Sequence, residues 1–217
     1  MKLKAALFDM DGTILDSRPI RDAIIASFVG EENIEAYRLA RKVAPGSGVE
    51  QICYVLINNF GIEETPEQLA KLYVARVKEL FSKEEITLIS GFEEFITHLQ
   101  EQGIQAALAT NAQDFVLDII KQRMPLAKYF GKHIYNSSMV NSYKPHPGIY
   151  LHALNNLGME PIDCLVFEDS SHGIAAAQAA GMRCIGVNSH GNYEELSRAD
   201  SIIIDYRGLT IEQLNSQ

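Results

Sequence analysis

Ala5-Ala6-Leu7-Phe8-Asp9-Met10-Asp11-Gly12-Thr13 is the stretch that decides the fold. Its first half is a short apolar run, which is typical of a strand buried on both faces in a parallel sheet. Asp9 and Asp11 then follow at the carboxyl end of that strand, where open α/β sheets bind their ligands. Two neighbouring acids repel each other unless a cation neutralises them, and oxygen-only ligands favour Mg²⁺. A solvated acidic turn is the alternative that this stretch alone leaves open.

The composition is that of an ordinary globular protein of 217 residues, 47% of them hydrophobic and 22% charged. A net charge of −9 argues against nucleic acids and anionic membranes as partners. The three cysteines are too few and too scattered for a zinc site or a disulfide framework. Because the chain shows neither an apolar run of about eighteen residues nor a signal segment, we expect a cytoplasmic protein. We further expect a monomer or a weak homodimer.

Helical periodicity without a convincing strand runs from about Pro19 to Phe81. It indicates four helices in a small bundle, one of which begins with the capping box Thr65-Pro66-Glu67-Gln68. The first strand precedes this bundle, so the bundle is an insertion. We therefore predict an inserted domain at residues 16–83.

After Leu88 the pattern changes to alternating strands and helices, the first helix being capped by Ser90. Such alternation predicts a parallel sheet with helices on both faces. The expected fold is therefore α/β, a doubly wound parallel sheet with an inserted α-helical bundle. Residues 1–15 and 84–217 are predicted to form the domain that contains the sheet.

Polar residues recur where the predicted strands end. Thr110-Asn111 follows the second strand of the sheet and Glu168-Asp169 follows the fourth. Lys144 lies between them in a loop stiffened by two prolines. Because the carboxyl ends of parallel strands meet at one edge of a sheet, we expect these groups to converge with Asp9 and Asp11.

The expected cluster suits phosphoryl transfer. A carboxylate can attack phosphorus and form an aspartyl-phosphate that water hydrolyses, while a second one exchanges protons with the leaving oxygen. Glu168 and Asp169 can complete a Mg²⁺ site, and Lys144 can offset charge on the phosphoryl oxygens. Thr110 and Asn111 can donate hydrogen bonds to those oxygens. A plain surface lysine is the alternative for Lys144.

These motifs resemble the four motifs of the haloacid dehalogenase-like superfamily of phosphohydrolases, and the similarity covers essentially the whole chain. Lys144-Pro145-His146-Pro147 and Phe167-Glu168-Asp169-Ser170 are similar to the β-phosphoglucomutase-like and phosphoglycolate phosphatase-like branch. The resemblance implies a Rossmann-like sheet, with the inserted bundle as a cap domain. Two positions depart from the pattern of many members, since Tyr143 replaces a glycine and Gly148 an aspartate.

The resemblance also implies roles for the motif residues. Asp9 would be the nucleophile and Asp11 the general acid and base. Mg²⁺ would bind Asp9, the backbone carbonyl of Asp11, and Asp169, with Glu168 close by. The transferring phosphoryl group would be bound by Thr110 and Lys144.

Two features favour a phosphatase acting on a small phosphorylated metabolite. Dehalogenase members lack the second aspartate of the first motif, so Asp11 favours phosphoryl transfer. β-Phosphoglucomutases carry a cap histidine where this chain has Arg21. A sugar phosphomutase stays as the alternative, and a non-catalytic protein that binds phosphorylated metabolites is a third hypothesis.

The cap offers candidate substrate contacts. Arg21 can recognise a carboxylate or phosphate in bidentate fashion, although a solvated helix residue is an equal interpretation. Gly46 and Ser47 belong to a loop, Pro45–Gly48, that contacts substrate in relatives. The composition of that loop also suits a plain turn between helices.

Overall fold

The computed structural model describes residues 3–44 and 48–215. The chain forms two compact units, one composed of Met1–Asp16 and Ile86–Gln217 and the other of Ser17–Glu85. Gly46 and Ser47, the loop residues predicted to contact substrate, lie outside the described residues. No helix in the described ranges is both long and apolar enough to cross a bilayer.

The strands all belong to the first unit. In chain order they are β1 (Ala5–Phe8), β2 (Leu15–Asp16), β3 (Thr87–Leu88), β4 (Gln105–Thr110), β5 (Ile134–Asn136), β6 (Cys164–Glu168), β7 (Arg183–Val187) and β8 (Ser201–Ile203). Among the described residues, six of these strands form one parallel sheet in the order β5-β4-β1-β6-β7-β8.

Strand β1 lies at the centre of this sheet, which explains why its four residues are all apolar and fully buried. Phe8 is in register with Leu108 on β4 and with Phe167 on β6. The residues that follow these three positions therefore reach the same edge of the sheet. The chain first builds the sheet outward on the β4 side and then on the β6 side, so β1 stands where the winding changes direction.

Helices cover both faces of the sheet. These helices belong to the first unit and follow, in chain order, the helices of the second unit. The helices of the second unit are α1 (Arg18–Val29), α2 (Ile34–Val43), α3 (Gly48–Phe60) and α4 (Pro66–Lys83). The first unit contains α5 (Phe92–Glu101), α6 (Asp114–Arg123), α7 (Leu126–Phe130), α8 (Gly148–Leu157), α9 (Ser171–Ala179) and α10 (Ile211–Asn215).

Alternate residues of a strand point to opposite faces, and the two faces of β1 pack differently. Phe8 contacts a cluster of aromatic rings that includes Phe92, Phe167 and Tyr206. Leu7 belongs instead to an aliphatic cluster that is rich in alanine. Burial on both sides confirms the predicted α/β fold with a doubly wound parallel sheet.

The second unit consists of the helical insertion. Its helix α4 begins with the predicted capping box: Thr65 Oγ1 accepts a hydrogen bond from the Gln68 backbone at 3.3 Å, and Gln68 Oε1 accepts one from the Thr65 backbone at 3.1 Å. The hydrophobic side of this helix is buried, as the pattern predicts. The buried residues are Leu69, Tyr73, Val77, Leu80 and Phe81.

The prediction that Ser90 caps α5 is wrong. The N-cap is Gly91, which has φ of 77° and no side chain to donate or accept. The backbone carbonyl of Ser90 instead accepts a hydrogen bond from Tyr206 at 2.9 Å. A Cβ on Gly91 would collide with the backbone of Arg207, so the approach of this C-terminal segment requires glycine here.

Candidate active site

Lys144 is the only ammonium group among the motif residues, and its three N–H donors all have acceptors. Nζ donates to Asp9 Oδ1 at 2.6 Å, to Glu168 Oε1 at 2.6 Å and to the carbonyl of Ala109 at 2.7 Å. Burial alone would lower the pKa of Lys144, but the two carboxylates outweigh it and raise that pKa. The convergence expected from the strand ends therefore includes a buried, charged lysine between two acids.

Glu168 is fully buried and both of its carboxylate oxygens are occupied. Oε1 accepts from Lys144 and from the hydroxyl of Tyr150 at 2.8 Å. Oε2 accepts from the backbone of Asp169 at 3.2 Å, and from Ser170 through its backbone at 3.4 Å and its hydroxyl at 3.0 Å. A Cβ on Gly173 would collide with this carboxylate, so α9 can pass close to Glu168 only with glycine at that position.

The carboxylates of the motif residues also lie close to one another. Carboxylate oxygens of Asp9, Glu168 and Asp169 lie within 4.8 Å of one another. Gly12, with φ of 79°, leaves room for the Asp169 carboxylate, which a Cβ would strike. Asp11 lies in the same loop with a half-buried side chain.

The acidic cluster contains more negative than positive charge. Burial raises the pKa of Asp9 to about 7, although Lys144 opposes the shift. Burial and the neighbouring Asp9 and Glu168 carboxylates raise the pKa of Asp169 well above its usual range. Four acids, counting Asp11, face one ammonium group. An oxygen-only donor set with excess negative charge fits a divalent cation such as Mg²⁺.

Thr110 and Asn111 border the site from the end of β4. The Thr110 hydroxyl oxygen accepts a hydrogen bond from the backbone of Ala112 at 3.1 Å, which orients it and leaves its proton to donate. The side-chain oxygen of Asn111 accepts from the backbone N–H of Lys144 at 3.0 Å. Asn111 thus fixes the loop that carries the lysine, a function the sequence did not indicate.

Comparisons with known proteins identify the family of the chain. A sequence model of the haloacid dehalogenase-like hydrolases matches residues 6–187. The chain belongs to the haloacid dehalogenase-like hydrolase family. Protein CbbY of Rhodobacter capsulatus is 30% identical over 94% of each chain. Phosphoglycolate phosphatase 1 of Pseudomonas aeruginosa is 28% identical over 93% of this chain and 76% of its own length.

A solved structure shares the fold as well. CbbY from Rhodobacter sphaeroides, in complex with phosphate, has a TM-score of 0.78 and 26% identity, covering 95% of this chain and 96% of that one. The predicted family and branch are confirmed, and the chain is a phosphohydrolase of the haloacid dehalogenase-like family.

This haloacid dehalogenase-like hydrolase brings together the predicted residues of its first unit. Arg21 lies on α1 in the second unit. At the departure from the family pattern at Gly148, the N-cap of α8 is Pro147, and the Gly148 backbone N–H donates to His146 Nδ1 at 3.0 Å.

Tyr150 contacts two site residues of this hydrolase, and the sequence did not predict these contacts. Its hydroxyl donates to Glu168, and its ring centroid lies 4.8 Å from Lys144 Nζ. Burial and the Glu168 carboxylate raise the pKa of Tyr150 well above 10, so the hydroxyl stays a donor. An apolar position of α8 gives no signal of this contact, because an aromatic residue at helical spacing predicts only core packing.

Proposed function

We propose that this phosphohydrolase is a Mg²⁺-dependent phosphatase that hydrolyses the monoester of a small phosphorylated metabolite through an aspartyl-phosphate on Asp9. The observation that supports this most strongly is the pair formed by Asp9 and Lys144, with 2.6 Å between Oδ1 and Nζ, at the carboxyl edge of the sheet. A lysine beside the attacking carboxylate lowers the cost of bringing a phosphate to it.

The reaction divides into two steps. In the first, a carboxylate oxygen of Asp9 attacks phosphorus, the P–O ester bond breaks, and Asp11 gives its proton to the leaving oxygen. In the second, Asp11 takes a proton from water, whose oxygen attacks phosphorus and releases inorganic phosphate. Asp9 is thereby restored as a carboxylate.

The remaining motif residues bind the phosphoryl group and the metal ion and neutralise the charge on the phosphoryl oxygens. Lys144 offsets negative charge on the phosphoryl oxygens. The hydroxyl of Thr110 and the side-chain amide of Asn111 donate hydrogen bonds to the same oxygens. Asp9, the Asp11 carbonyl and Asp169 would hold Mg²⁺, with Glu168 close by. When bound, the ion supplies further positive charge to the transferring phosphoryl group.

We infer that the second unit is a substrate cap, with domain limits at residues 16–83. Arg21 and the loop that contains Gly46 and Ser47 are its candidate contacts for the metabolite. Closure of such a cap excludes bulk water, which strengthens the electrostatic interactions between the site and the phosphoryl group.

Phosphate release across a panel of sugar, glycolate and nucleoside monophosphates tests the proposal. We expect turnover of at least one of them with Mg²⁺, loss of turnover after chelation, and no turnover by Asp9→Asn. Full activity of Asp9→Asn or of the chelated enzyme would contradict the mechanism. Isomerised sugar phosphate in place of free phosphate would favour the sugar phosphomutase instead.

A further inference from the structure

We propose that Tyr150 is a positioning residue for phosphoryl transfer, which donates a hydrogen bond to Glu168 Oε1 and thereby fixes the Lys144 ammonium beside Asp9. The inference rests on the proposed function, because it adds a residue to the same site. Tyr150 touches neither the substrate nor the reacting atoms in this assignment and acts through its two neighbours.

The contacts of Tyr150 single it out among the buried aromatic residues. Its side chain is fully buried, and it meets both members of the Lys144–Glu168 ion pair. The hydroxyl donates to Glu168 Oε1 at 2.8 Å, while the ring face lies 4.8 Å from Lys144 Nζ. A ring at that distance attracts a cation, and a hydroxyl donor satisfies a carboxylate that has no access to water.

The hydroxyl matters because Lys144 shares its donors among three acceptors. Glu168 Oε1 receives hydrogen bonds from both Tyr150 and Lys144. Without the hydroxyl, that oxygen has the ammonium as its remaining partner and draws it more strongly. The ammonium would then move toward Glu168 and away from Asp9, where negative charge shifts during the reaction.

The carboxylate of Glu168 is well suited to transmit this effect. Its second oxygen is held by the backbone of Asp169 and by Ser170, and the space beyond it is closed by Gly173. A carboxylate held in this way has little freedom to rotate when one donor is lost. Loss of the Tyr150 hydroxyl therefore changes the position of Lys144 and not that of Glu168.

The test compares Tyr150→Phe with Tyr129→Phe in the full chain. The control loses the same kind of bond, since the Tyr129 hydroxyl donates to Glu93 at 3.1 Å outside the acidic cluster. For Tyr150→Phe we expect kcat to fall about tenfold, the effect of a hydrogen bond to a charged group, with KM within about twofold of wild type. The kcat of Tyr129→Phe should stay at the wild-type value.

Two further measurements separate positioning from other roles. Calorimetric titration with Mg²⁺ should show no weaker affinity for Tyr150→Phe than for wild type, because the variant keeps every proposed ligand of the ion. In a Glu168→Gln background, Tyr150→Phe should cause no further loss of kcat, since its effect passes through Glu168.

Several results would overturn the inference. They are an unchanged kcat of Tyr150→Phe, a weakened affinity for Mg²⁺, and an additive loss in the double variant. A merely structural role would lower the urea midpoint of both phenylalanine variants and change the kcat of neither. A wild-type chain that releases no phosphate from any substrate would overturn the proposed function and the inference with it.

Discussion

At the scale of single residues, the site depends on close approaches that only glycine permits. The Glu168 carboxylate lies so close to Gly173 that a Cβ at this position would collide with it. We expect Gly173→Ala to lower the free energy of unfolding by about 1–3 kcal/mol through overpacking, and to lower kcat as Glu168 is displaced. Urea denaturation and steady-state kinetics measure the two effects.

Gly103→Ala is the matched control, because Gly103 has φ of 72° and a Cβ placed on it would meet no atom within 4 Å. It should lose roughly 1–2 kcal/mol through backbone strain alone and keep the wild-type kcat. An equal loss of kcat in both variants would show that stability, and not the Glu168 contact, limits the activity of Gly173→Ala.

The charged members of the site were predictable from sequence at this scale, whereas its neutral supports were not. Asp9, Lys144 and Glu168 stand at strand ends or in a proline-rich loop of the predicted parallel sheet, whose carboxyl edge is where such sheets bind ligands. Tyr150 and Gly173 lie inside helices, where core packing explains an aromatic residue or a glycine equally well. Their roles depend on distances that no spacing rule supplies.

At the scale of elements, two helices begin with an N-cap side chain that accepts a hydrogen bond from the third helical residue, but only one of these caps also contacts the site. Ser170 accepts the Gly173 backbone N–H at 3.1 Å, and Thr65 accepts that of Gln68 at 3.3 Å. Ser170 additionally donates to Glu168. Ser170→Ala and Thr65→Ala should each lower the free energy of unfolding by about 1 kcal/mol, measured in urea.

Their kinetics should differ. Ser170→Ala removes a donor from Glu168 and should reduce kcat several-fold, whereas Thr65→Ala should leave kcat unchanged. Equal kcat values for the two variants would mean that the hydroxyl of Ser170 serves the helix alone.

Long periodic elements were predictable, and short ones were not. The four helices predicted between about Pro19 and Phe81 match α1, α2, α3 and α4 of the described residues. The pair β2 and β3 was missed, because two residues are too few to show alternation. The Ser90 cap was wrong for a different reason, since the distant segment at Tyr206 takes its carbonyl.

At the scale of the whole molecule, we expect Mg²⁺ bound to the acidic cluster to raise the stability of the folded chain. Mg²⁺ at about one hundred times its Kd should stabilise the folded chain by about 2.7 kcal/mol. For a chain of this size, that corresponds to a rise in Tm of roughly 5–10 °C, measured by calorimetry with and without the ion.

Asp169→Asn should abolish this rise, because it removes one of the acids that would hold the ion. Without metal, the variant should unfold at or above the Tm of the metal-free wild type, because burial already disfavours the charged form of Asp169. The same Mg²⁺-dependent rise in both proteins would show that the ion binds elsewhere.

Covalent catalysis by Asp9 is tested most directly with the variant Asp11→Asn. If Asp11 is the general acid and base, the variant should still accept the phosphoryl group of p-nitrophenyl phosphate, whose leaving group needs no protonation. It should hydrolyse the acyl phosphate slowly. After acid quenching, mass spectrometry should find one added phosphoryl group on the peptide that contains Asp9. Phosphorylation of another residue, or release of phosphate at the wild-type rate with no modified peptide, would contradict the account.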